Sequence, residues 1–166
     1  MKTNLKFLAG AMALIMFISC SKEDENKDIN SIEMGDGSFK VTTATMLGVS
    51  SGEIGHTAIS FTSGTSQTEM TVLTLDVSSF TEETIEGTYS YPAADEEKSL
   101  NYWLTNYMAI EGSTITTHNL EEGEVTIKSN GGNNYTVDVF VTMVDGTTFT
   151  GTYRGDFQVQ FANSNM

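Results

Sequence analysis

The two histidines, His56 and His118, are the side chains of this sequence best suited to move protons or to bind a transition metal near neutral pH. They lie far apart and form no His-x-x-x-His motif, so no ligand set of a zinc hydrolase is visible. Two distant histidines can meet in space, for example around a haem, but isolated histidines on strands or loops are the commoner arrangement. We therefore predict no metal site and no cofactor at the histidines.

Carboxylates are plentiful, and three clusters of them are candidates for chemistry: Glu82-Glu83, Asp95–Glu97 and Glu121–Glu124. A glycosidase needs two carboxyl groups that face each other across a cleft. A calcium site needs several oxygen ligands in one loop, and none of the clusters has EF-hand spacing. All three fall in predicted turns, so we expect solvated loop charge. Calcium in such a loop and a carboxylate-based hydrolase are the alternatives.

The only cysteine is Cys20, which excludes an intrachain disulfide and a cysteine-based zinc site. Neither a P-loop nor a dinucleotide-binding fingerprint occurs. Without these motifs, and without an arranged pair of acids, we predict that the protein is not an enzyme.

Aromatic side chains are the remaining functional lead. Four of them are candidates for an exposed platform that binds sugar rings or another planar apolar ligand: Trp103, Tyr107, Tyr89 and Tyr91. The alternative is that the same rings pack in the core.

The charge of the chain restricts its partners. Lysine and arginine number 8, against 22 aspartate and glutamate residues, for a formal net charge of −14 at pH 7. Nucleic-acid binding depends on Lys and Arg that neutralise phosphates, so we predict no nucleic-acid partner.

The N-terminus predicts an exported, lipid-anchored protein. Lys2 and Lys6 precede the uncharged apolar run Phe7–Ile18, whose 12 residues are too few for a bilayer span of about 20. The run ends in Phe-Ile-Ser-Cys at positions 17–20, which resembles the lipobox of bacterial lipoproteins, although Leu is usual where Phe17 stands. The resemblance implies a signal peptide over residues 1–19 and diacylation of Cys20.

The segment after Cys20 carries a possible address. Lys22, Glu23 and Asp24 resemble the export signal of Bacteroidetes surface lipoproteins, in which a lysine is followed by acids. The resemblance implies an outer-membrane protein that faces the cell exterior. We predict that residues 20–36 form the lipidated cysteine and a disordered acidic tether, because low hydrophobicity and high charge oppose a core. Residues 37–166 are then a single β domain.

The body of the chain has the period-two alternation of β-strands. Turn-forming residues separate the predicted strands, which are 38–49, 54–63, 69–78, 84–91, 113–117 and 123–129. Short strands at this spacing predict an all-β fold of roughly 8–10 strands. We favour an antiparallel β-sandwich, with an up-and-down or lipocalin-like barrel as the alternative.

The clearest strands flank Asp145-Gly146, a typical hairpin dipeptide that suits a type I′ turn. We predict one long hairpin over residues 134–161. Its alternation predicts one buried and one exposed row. The buried row contains Phe149, Tyr153, Phe157 and Phe161. The exposed row contains Thr150, Arg154 and Gln158.

Residues 95–110 are ambiguous between two structures. Leu100, Trp103, Leu104, Tyr107 and Met108 have helical spacing, whereas the surroundings are all β, so we favour a strand.

The C-terminal third contains Gly-Glu-Val-Thr-Ile at 123–127, Tyr-Thr-Val at 135–137, Asp145-Gly146 and Gly-Thr-Tyr-Arg-Gly at 151–155. This pattern resembles small β-rich Bacteroidetes lipoproteins of unassigned function, and it implies a fold without an activity. Together with the predicted anchor, it suggests a non-catalytic binding or accessory module at the cell surface, with a glycan or an outer-membrane protein as partner. A structural or adhesive surface subunit is the alternative.

Overall fold

The fold is all-β, as predicted. The structure, a computed structural model, describes residues 29–51, 54–79, 85–93 and 98–163. The described residues form twelve strands, more than the predicted 8–10. The strands are β1 (Ile29–Asn30), β2 (Glu33–Met34), β3 (Gly37–Ser38), β4 (Thr43–Ser51), β5 (Ile54–Ser66), β6 (Glu69–Val77), β7 (Gly87–Tyr91), β8 (Asn106–Glu111), β9 (Thr114–Gly131), β10 (Asn134–Met143), β11 (Thr148–Asp156) and β12 (Gln158–Asn163). The part of the chain in these ranges contains no helix with the length and hydropathy needed to cross a bilayer.

All twelve strands belong to one hydrogen-bonded sheet, in the order β12-β4-β5-β6-β8-β9-β10-β11-β2-β3, with β1 on β11 and β7 on β9. Every pair is antiparallel except β12 with β4. The sheet curls back on itself: the ring of Phe61 in β5 lies 5.3 Å from that of Tyr153 in β11, although four strands separate β5 from β11 in the order. One apolar core therefore lies between the two halves, as in a sandwich or a barrel.

Strand β9 joins the two halves. Its first part pairs with β8 and its second part with both β10 and β7. The turn predicted at Glu122-Gly123 does not form; instead the β9–β10 register shifts there, because Met143 pairs with Leu120 while Thr142 pairs with Glu122. Gly123 has a φ of 157°, and an added Cβ would lie 2.5 Å from the Phe140 carbonyl oxygen. Glycine thus marks a bulge inside a long strand rather than its end.

The predicted long hairpin is right for β10 and β11 and wrong beyond Asp156. Pairing runs from Asn134 with Asp156 to Thr142 with Thr148. Because β10 begins at Asn134, β11 has no further partner on it, and the chain crosses to run parallel with β4 as β12. The predicted type I′ turn is also wrong, since among the described residues only glycines have positive φ and Asp145 does not.

The faces of β11 and β12 follow the predicted alternation only in part. Phe149 and Phe157 are buried, whereas Tyr153 and Phe161 are half-buried and pack against the core. The predicted exposed residues divide as well: Gln158 is exposed, while Thr150 and Arg154 are half-buried. The Arg154 guanidinium reaches Asn130 at 3.5 Å, because Asn130, at the end of β9, lies next to β11's partner strand β10.

The sheet begins earlier than the predicted boundary at residue 37. Residues 29–36 were assigned to the tether, but β1 and β2 both pair with β11. Between them, Ile32 is 1% exposed and belongs to the core cluster. The predicted tether, residues 20–36, is rich in charged residues, but the side chain of Ile32 is apolar and is buried in the core. Its burial stabilises the attachment of residues 29–36 to the sheet.

The ambiguous segment is a strand from Asn106 onward, as favoured from the sequence, and it forms β8. Residues 101–104 form a turn rather than the first part of the predicted strand. This turn, which precedes β8, is the part of the fold that shapes the candidate site.

Candidate functional site

Residues 98–105, which precede β8, pack over the end of β6 and are anchored there by backbone hydrogen bonds. Leu100 forms a bridge with Val77, and its N–H donates to the Ser90 carbonyl oxygen at 2.9 Å. The Asn101 N–H donates to the Asp76 carbonyl oxygen, also at 2.9 Å. The Leu100 side chain is buried in the core. These contacts hold the 101–104 turn against the outer face of the sheet.

A pocket of about 480 Å³ lies where this turn meets β5 and β6. The described residues that line it combine aromatic and aliphatic side chains with a few polar groups. They are Gly55, His56, Asp76, Ser78, Tyr91, Ala93, Ser99, Leu100, Asn101, Tyr102 and Leu104. Ligand sites typically have volumes of about 300–1,000 Å³ and this mixture of apolar walls and few polar groups.

His56 and Asp76 form an ion-pair geometry in the pocket. The β5–β6 register pairs Ala58 with Asp76, so His56, two residues before Ala58, is the diagonal neighbour of Asp76 on the same face. The Nδ1–H of His56 donates to Asp76 Oδ2 at 2.8 Å. The histidine side chain is 35% exposed and the aspartate 2%.

The second carboxylate oxygen of Asp76, Oδ1, is buried and has no hydrogen-bond partner in the described structure. Burial raises the pKa of Asp76 above its ordinary value, and the hydrogen bond and charge of His56 oppose this only in part. The Thr105 hydroxyl accepts from the Asp76 backbone N–H at 3.0 Å and leaves the carboxylate unsatisfied. A ligand that donates a hydrogen bond to Oδ1 would relieve this cost.

Three aromatic rings stack at the rim of the pocket. The rings of Tyr91 and Tyr102 are 5.0 Å apart with an interplanar angle of 22°. The rings of Tyr102 and Trp103 follow at 4.8 Å and 37°. The backbone N–H of Trp103 donates to Asn101 Oδ1 at 3.1 Å, and this bond fixes the turn that carries the rings of Tyr102 and Trp103. Trp103 is 67% exposed, so the series ends in an indole open to solvent.

The structure separates the four predicted platform residues. Trp103 and Tyr91 belong to the stack, although Tyr91 is half-buried and also packs against the core, and Tyr89 and Tyr107 are core residues. The Tyr89 hydroxyl donates to the Ile85 carbonyl oxygen at 2.9 Å, and the Tyr107 hydroxyl to Asp145 Oδ2 at 2.7 Å. Tyr89 and Tyr107 alternate inward on β7 and β8, so they cannot offer a face to a ligand.

Sequence reasoning missed Tyr102 and Asp76, and it considered His56 only for metal or haem binding. Tyr102 stands beside Trp103 in a turn, and that adjacency was the available signal for it. The pairing of His56 with Asp76 depends on the β5–β6 register, which no local pattern specifies.

Gly-Val-Ser-Ser-Gly at 48–52 has the spacing of a nucleophile elbow, but Ser50 lies within β4, ahead of another strand, and not at the strand-to-helix turn of an elbow.

The other histidine belongs to a separate cluster. His118 Nε2 lies 3.6 Å from Asp145 Oδ2, and its ring stacks on that of Tyr107 at 5.4 Å. Burial raises the pKa of Tyr107, and so does its hydrogen bond to Asp145. For Asp145, burial alone would raise the pKa, but the Tyr107 and Thr147 hydrogen bonds and the charge of His118 outweigh it and lower the pKa. This cluster ties the β10–β11 turn to β8.

The two histidines lie on opposite faces of the sheet, which argues against a shared haem. Leu73 pairs with Tyr107, and Tyr107 pairs with His118, so all three lie on the core face. Asp76 is three residues beyond Leu73 on β6 and therefore lies on the outer face, with His56 beside it. Among the described residues, no three His, Cys, Asp or Glu side chains come together as a metal site.

The acidic clusters and the predicted lipid anchor contribute no described geometry to the pocket. Glu82-Glu83, Asp95, Glu96 and Glu97 lie outside the described residues, as do Cys20, Lys22, Glu23 and Asp24. The side chains of Glu121, Glu122 and Glu124 are exposed, but on strand β9 rather than in the predicted turn.

The buried Asp76 carboxylate, whose Oδ1 has no hydrogen-bond partner in the described structure, leads to a testable prediction about stability. Asp76→Asn should raise the free energy of unfolding at pH 7 by about 1 kcal/mol, because it removes a buried charge whose Oδ1 is unsatisfied. The folded-state pKa of Asp76 is raised, so the native protein takes up this proton before the unfolded chain does. The advantage of the variant should therefore shrink as the pH falls through that raised pKa towards 3.8, the ordinary pKa of an aspartate side chain.

Urea denaturation between pH 7 and pH 4 measures this difference. Asp36→Asn is the matched control, because Asp36 is exposed in the β2–β3 turn and its substitution should leave stability unchanged. A variant at Asp76 that is less stable than the wild-type protein across this range would show that the carboxylate stabilises the fold.

No protein-family model, curated protein or solved structure matches this chain. The pocket itself offers the phenol rings of Tyr91 and Tyr102, a hydrogen-bonding carboxylate and a partly exposed imidazole. The exposed indole of Trp103 stacks on Tyr102 beside it.

Proposed function

We propose that this protein is a non-catalytic cell-surface lipoprotein whose β domain binds a carbohydrate in the pocket between β5, β6 and the 101–104 turn. The observation that carries the proposal is the stack of Tyr91, Tyr102 and Trp103 at the pocket rim. Sugar rings have an apolar face of C–H groups and a periphery of hydroxyl groups. The apolar face of a sugar can stack on an indole or phenol ring. Its hydroxyl groups can form hydrogen bonds with His56, Asp76 and Asn101.

Exposure of the indole supports a binding role. Burying a large aromatic ring is among the most favourable contributions to a core, and Trp103 instead leaves two thirds of its surface in water. Leu104 and Leu47 are also exposed on this side of the molecule, on the turn and on β4. A rigid turn that presents apolar side chains next to a polar pocket is the arrangement expected of a ligand site.

Anchoring of the turn supports binding without a large rearrangement. The backbone bonds of Leu100 and Asn101 and the capping of Trp103 N–H by Asn101 fix the turn before any ligand arrives. Less conformational entropy is then lost on binding, which favours affinity.

The proposal of a non-catalytic role is supported by the number of carboxylate side chains among the described residues that line the pocket. A glycosidase uses two carboxyl groups on either side of the scissile bond. Among the described residues that line the pocket, Asp76 is the only acid, and one of its oxygens already accepts from His56. A single buried carboxylate suits recognition of a hydroxyl group better than hydrolysis.

We further propose that Cys20 anchors the domain to the outer membrane on the exterior side. Eight residues, 21–28, separate Cys20 from the first strand. Fully extended, they span at most about 29 Å, because each residue contributes roughly 3.6 Å. The β domain would therefore stay close to the lipid surface, where it meets polysaccharides or outer-membrane proteins.

Cys20→Ala should abolish membrane association, because no other cysteine can accept the lipid. Fractionation of cells and labelling with radioactive palmitate measure the effect, with Ser21→Ala as a control that keeps the lipidated side chain. Persistence of the Cys20→Ala protein in the membrane fraction after the signal peptide has been removed would refute the anchor.

The binding proposal is tested by applying the purified lipidated protein, in detergent, to an array of oligosaccharides. We expect a subset of glycans to be retained, and the Trp103→Ala protein to retain none of them. If no glycan on the array is retained, or if the wild-type and Trp103→Ala proteins retain the same glycans equally, carbohydrate binding at this pocket is rejected.

A further inference from the structure

We propose that the pocket selects uncharged sugar residues and rejects uronic acids and sulfated sugars, because Asp76 Oδ1 is a buried acceptor that requires a donor from the ligand. This inference rests on the proposed function and adds the chemical class of the ligand. Its first support is geometric: Asp76 lines the pocket, is 2% exposed, and has one oxygen without a partner in the described structure. A sugar hydroxyl donates to such an oxygen, whereas a ligand carboxylate or sulfate has no proton to donate.

His56 provides a second acceptor next to the first. With Nδ1–H donating to Asp76 Oδ2, Nε2 is the acceptor of the imidazole whenever the ring is in its neutral form. The ring is about one third exposed, and no described protein group hydrogen-bonds to Nε2. His56 and Asp76 both line the pocket, and two adjacent acceptors suit two hydroxyl donors on neighbouring carbons of a sugar ring.

Asn101 supplies the opposite polarity. Its Oδ1 accepts the Trp103 backbone N–H, and Asn101 lines the pocket, so its amide nitrogen is a donor for a ring or hydroxyl oxygen of the ligand. The polar groups therefore suit hydroxyl groups, which both donate and accept.

Charge strengthens the selection against anionic sugars in two ways. The buried Asp76 carboxylate would stand directly against a ligand carboxylate, at a place where water screens poorly. The chain as a whole has a formal net charge of −14, which repels polyanions at longer range. Salt weakens the long-range repulsion but not the buried one, so the two contributions can be separated.

A cationic ligand fits the rings less well. A site for an ammonium group surrounds the cation with aromatic faces. Here the rings of Tyr91 and Tyr102 stack at 22° and cover one face of each other, so they form a layered surface rather than the walls of a cage. A layered surface with an exposed indole at its end suits the apolar face of a neutral sugar.

The test compares each neutral oligosaccharide that the array retains with the same oligosaccharide oxidised at C6 to the uronic acid. We expect the uronic acid to bind the wild-type lipoprotein at least tenfold more weakly by isothermal titration calorimetry, at both 0.05 M and 0.5 M NaCl. Asp76→Asn should weaken the binding of the neutral sugar and bring the two affinities within threefold. His56→Gln keeps the Asp76 charge and should preserve the discrimination while it lowers the affinity for both sugars.

Each contrary outcome has a distinct meaning. Equal affinity of the wild-type protein for the neutral and oxidised sugars overturns the selection but leaves carbohydrate binding intact. The role of the buried carboxylate is overturned if the Asp76→Asn protein still discriminates between the two sugars, or if the discrimination disappears at 0.5 M NaCl. It is also overturned if the wild-type protein prefers an amino sugar to the neutral sugar. Retention of no glycan at all rejects the proposed function together with this inference.

Discussion

Replacing Phe157 by alanine lowers the free energy of unfolding by about 3–5 kcal/mol, the usual cost of removing a large aromatic ring from a core. Phe157 is 3% exposed and lies where the chain crosses from β11 to β12. Its ring meets those of Tyr135, Tyr153 and Phe61 edge-on at 5.7, 5.3 and 5.8 Å. Because Phe61 belongs to the other half of the sheet, the loss of this ring opens a cavity between the two halves.

The adjacent residue provides the control for Phe157. Gln158 is exposed at the start of β12, and Gln158→Ala should change the free energy of unfolding by less than about 0.5 kcal/mol. Urea denaturation of both variants measures the difference, with equal m-values required for the comparison. Equal destabilisation by the two substitutions would mean that the faces of the crossing segment are assigned wrongly.

Replacing Trp103 by alanine weakens carbohydrate binding by at least about thirtyfold, which corresponds to the roughly 2 kcal/mol typical of an aromatic hot spot. The indole is the exposed end of the ring stack and the largest apolar surface that a sugar would meet. Since the ring is mostly in water, the substitution should leave the free energy of unfolding nearly unchanged.

Phe140→Ala is the matched control for Trp103. Phe140 is an aromatic residue with similar exposure, 64%, but it lies on β10 and does not belong to the stack of Tyr91, Tyr102 and Trp103. Titration calorimetry with a glycan retained on the array should show unchanged affinity for this variant. If Phe140→Ala weakens binding as much as Trp103→Ala does, the sugar binds to exposed aromatic residues in general and not to this site.

Local alternation was enough to predict most of the longer strands, because each half-buried strand shows the period-two pattern in its own residues. It missed β1 and β2 and divided β9 into two strands. Asn134–Met143 and Thr148–Asp156 are examples in which the hairpin and its register follow from adjacent sequence. The crossing after Asp156 was not predictable in this way. The alternation from Phe149 to Phe161 continues through the crossing, and it carries no information about which strand becomes the partner.

The candidate site depends even more on distant parts of the chain. The sequence offers Trp103 only as one of four candidate aromatic residues, with core packing as the alternative for all of them. Tyr89 and Tyr107 were misassigned because an inward-facing tyrosine and a ligand-binding tyrosine look alike in the sequence. The Asp76 carboxylate is buried although it lies on the outer face of the sheet, and the backbone of Asp76 is hydrogen-bonded to Asn101 and Thr105. Only the folded chain shows this.

The most direct test of carbohydrate binding at this pocket uses the fact that Trp103 is the only tryptophan of the chain. Its fluorescence therefore reports on the rim of the pocket alone, without any other indole to subtract. We expect titration with a glycan retained on the array to shift the emission to shorter wavelength and to saturate at the calorimetric dissociation constant, because a stacked sugar ring removes water from the indole. Binding that calorimetry detects while the emission of Trp103 stays constant would place the ligand elsewhere and contradict the account.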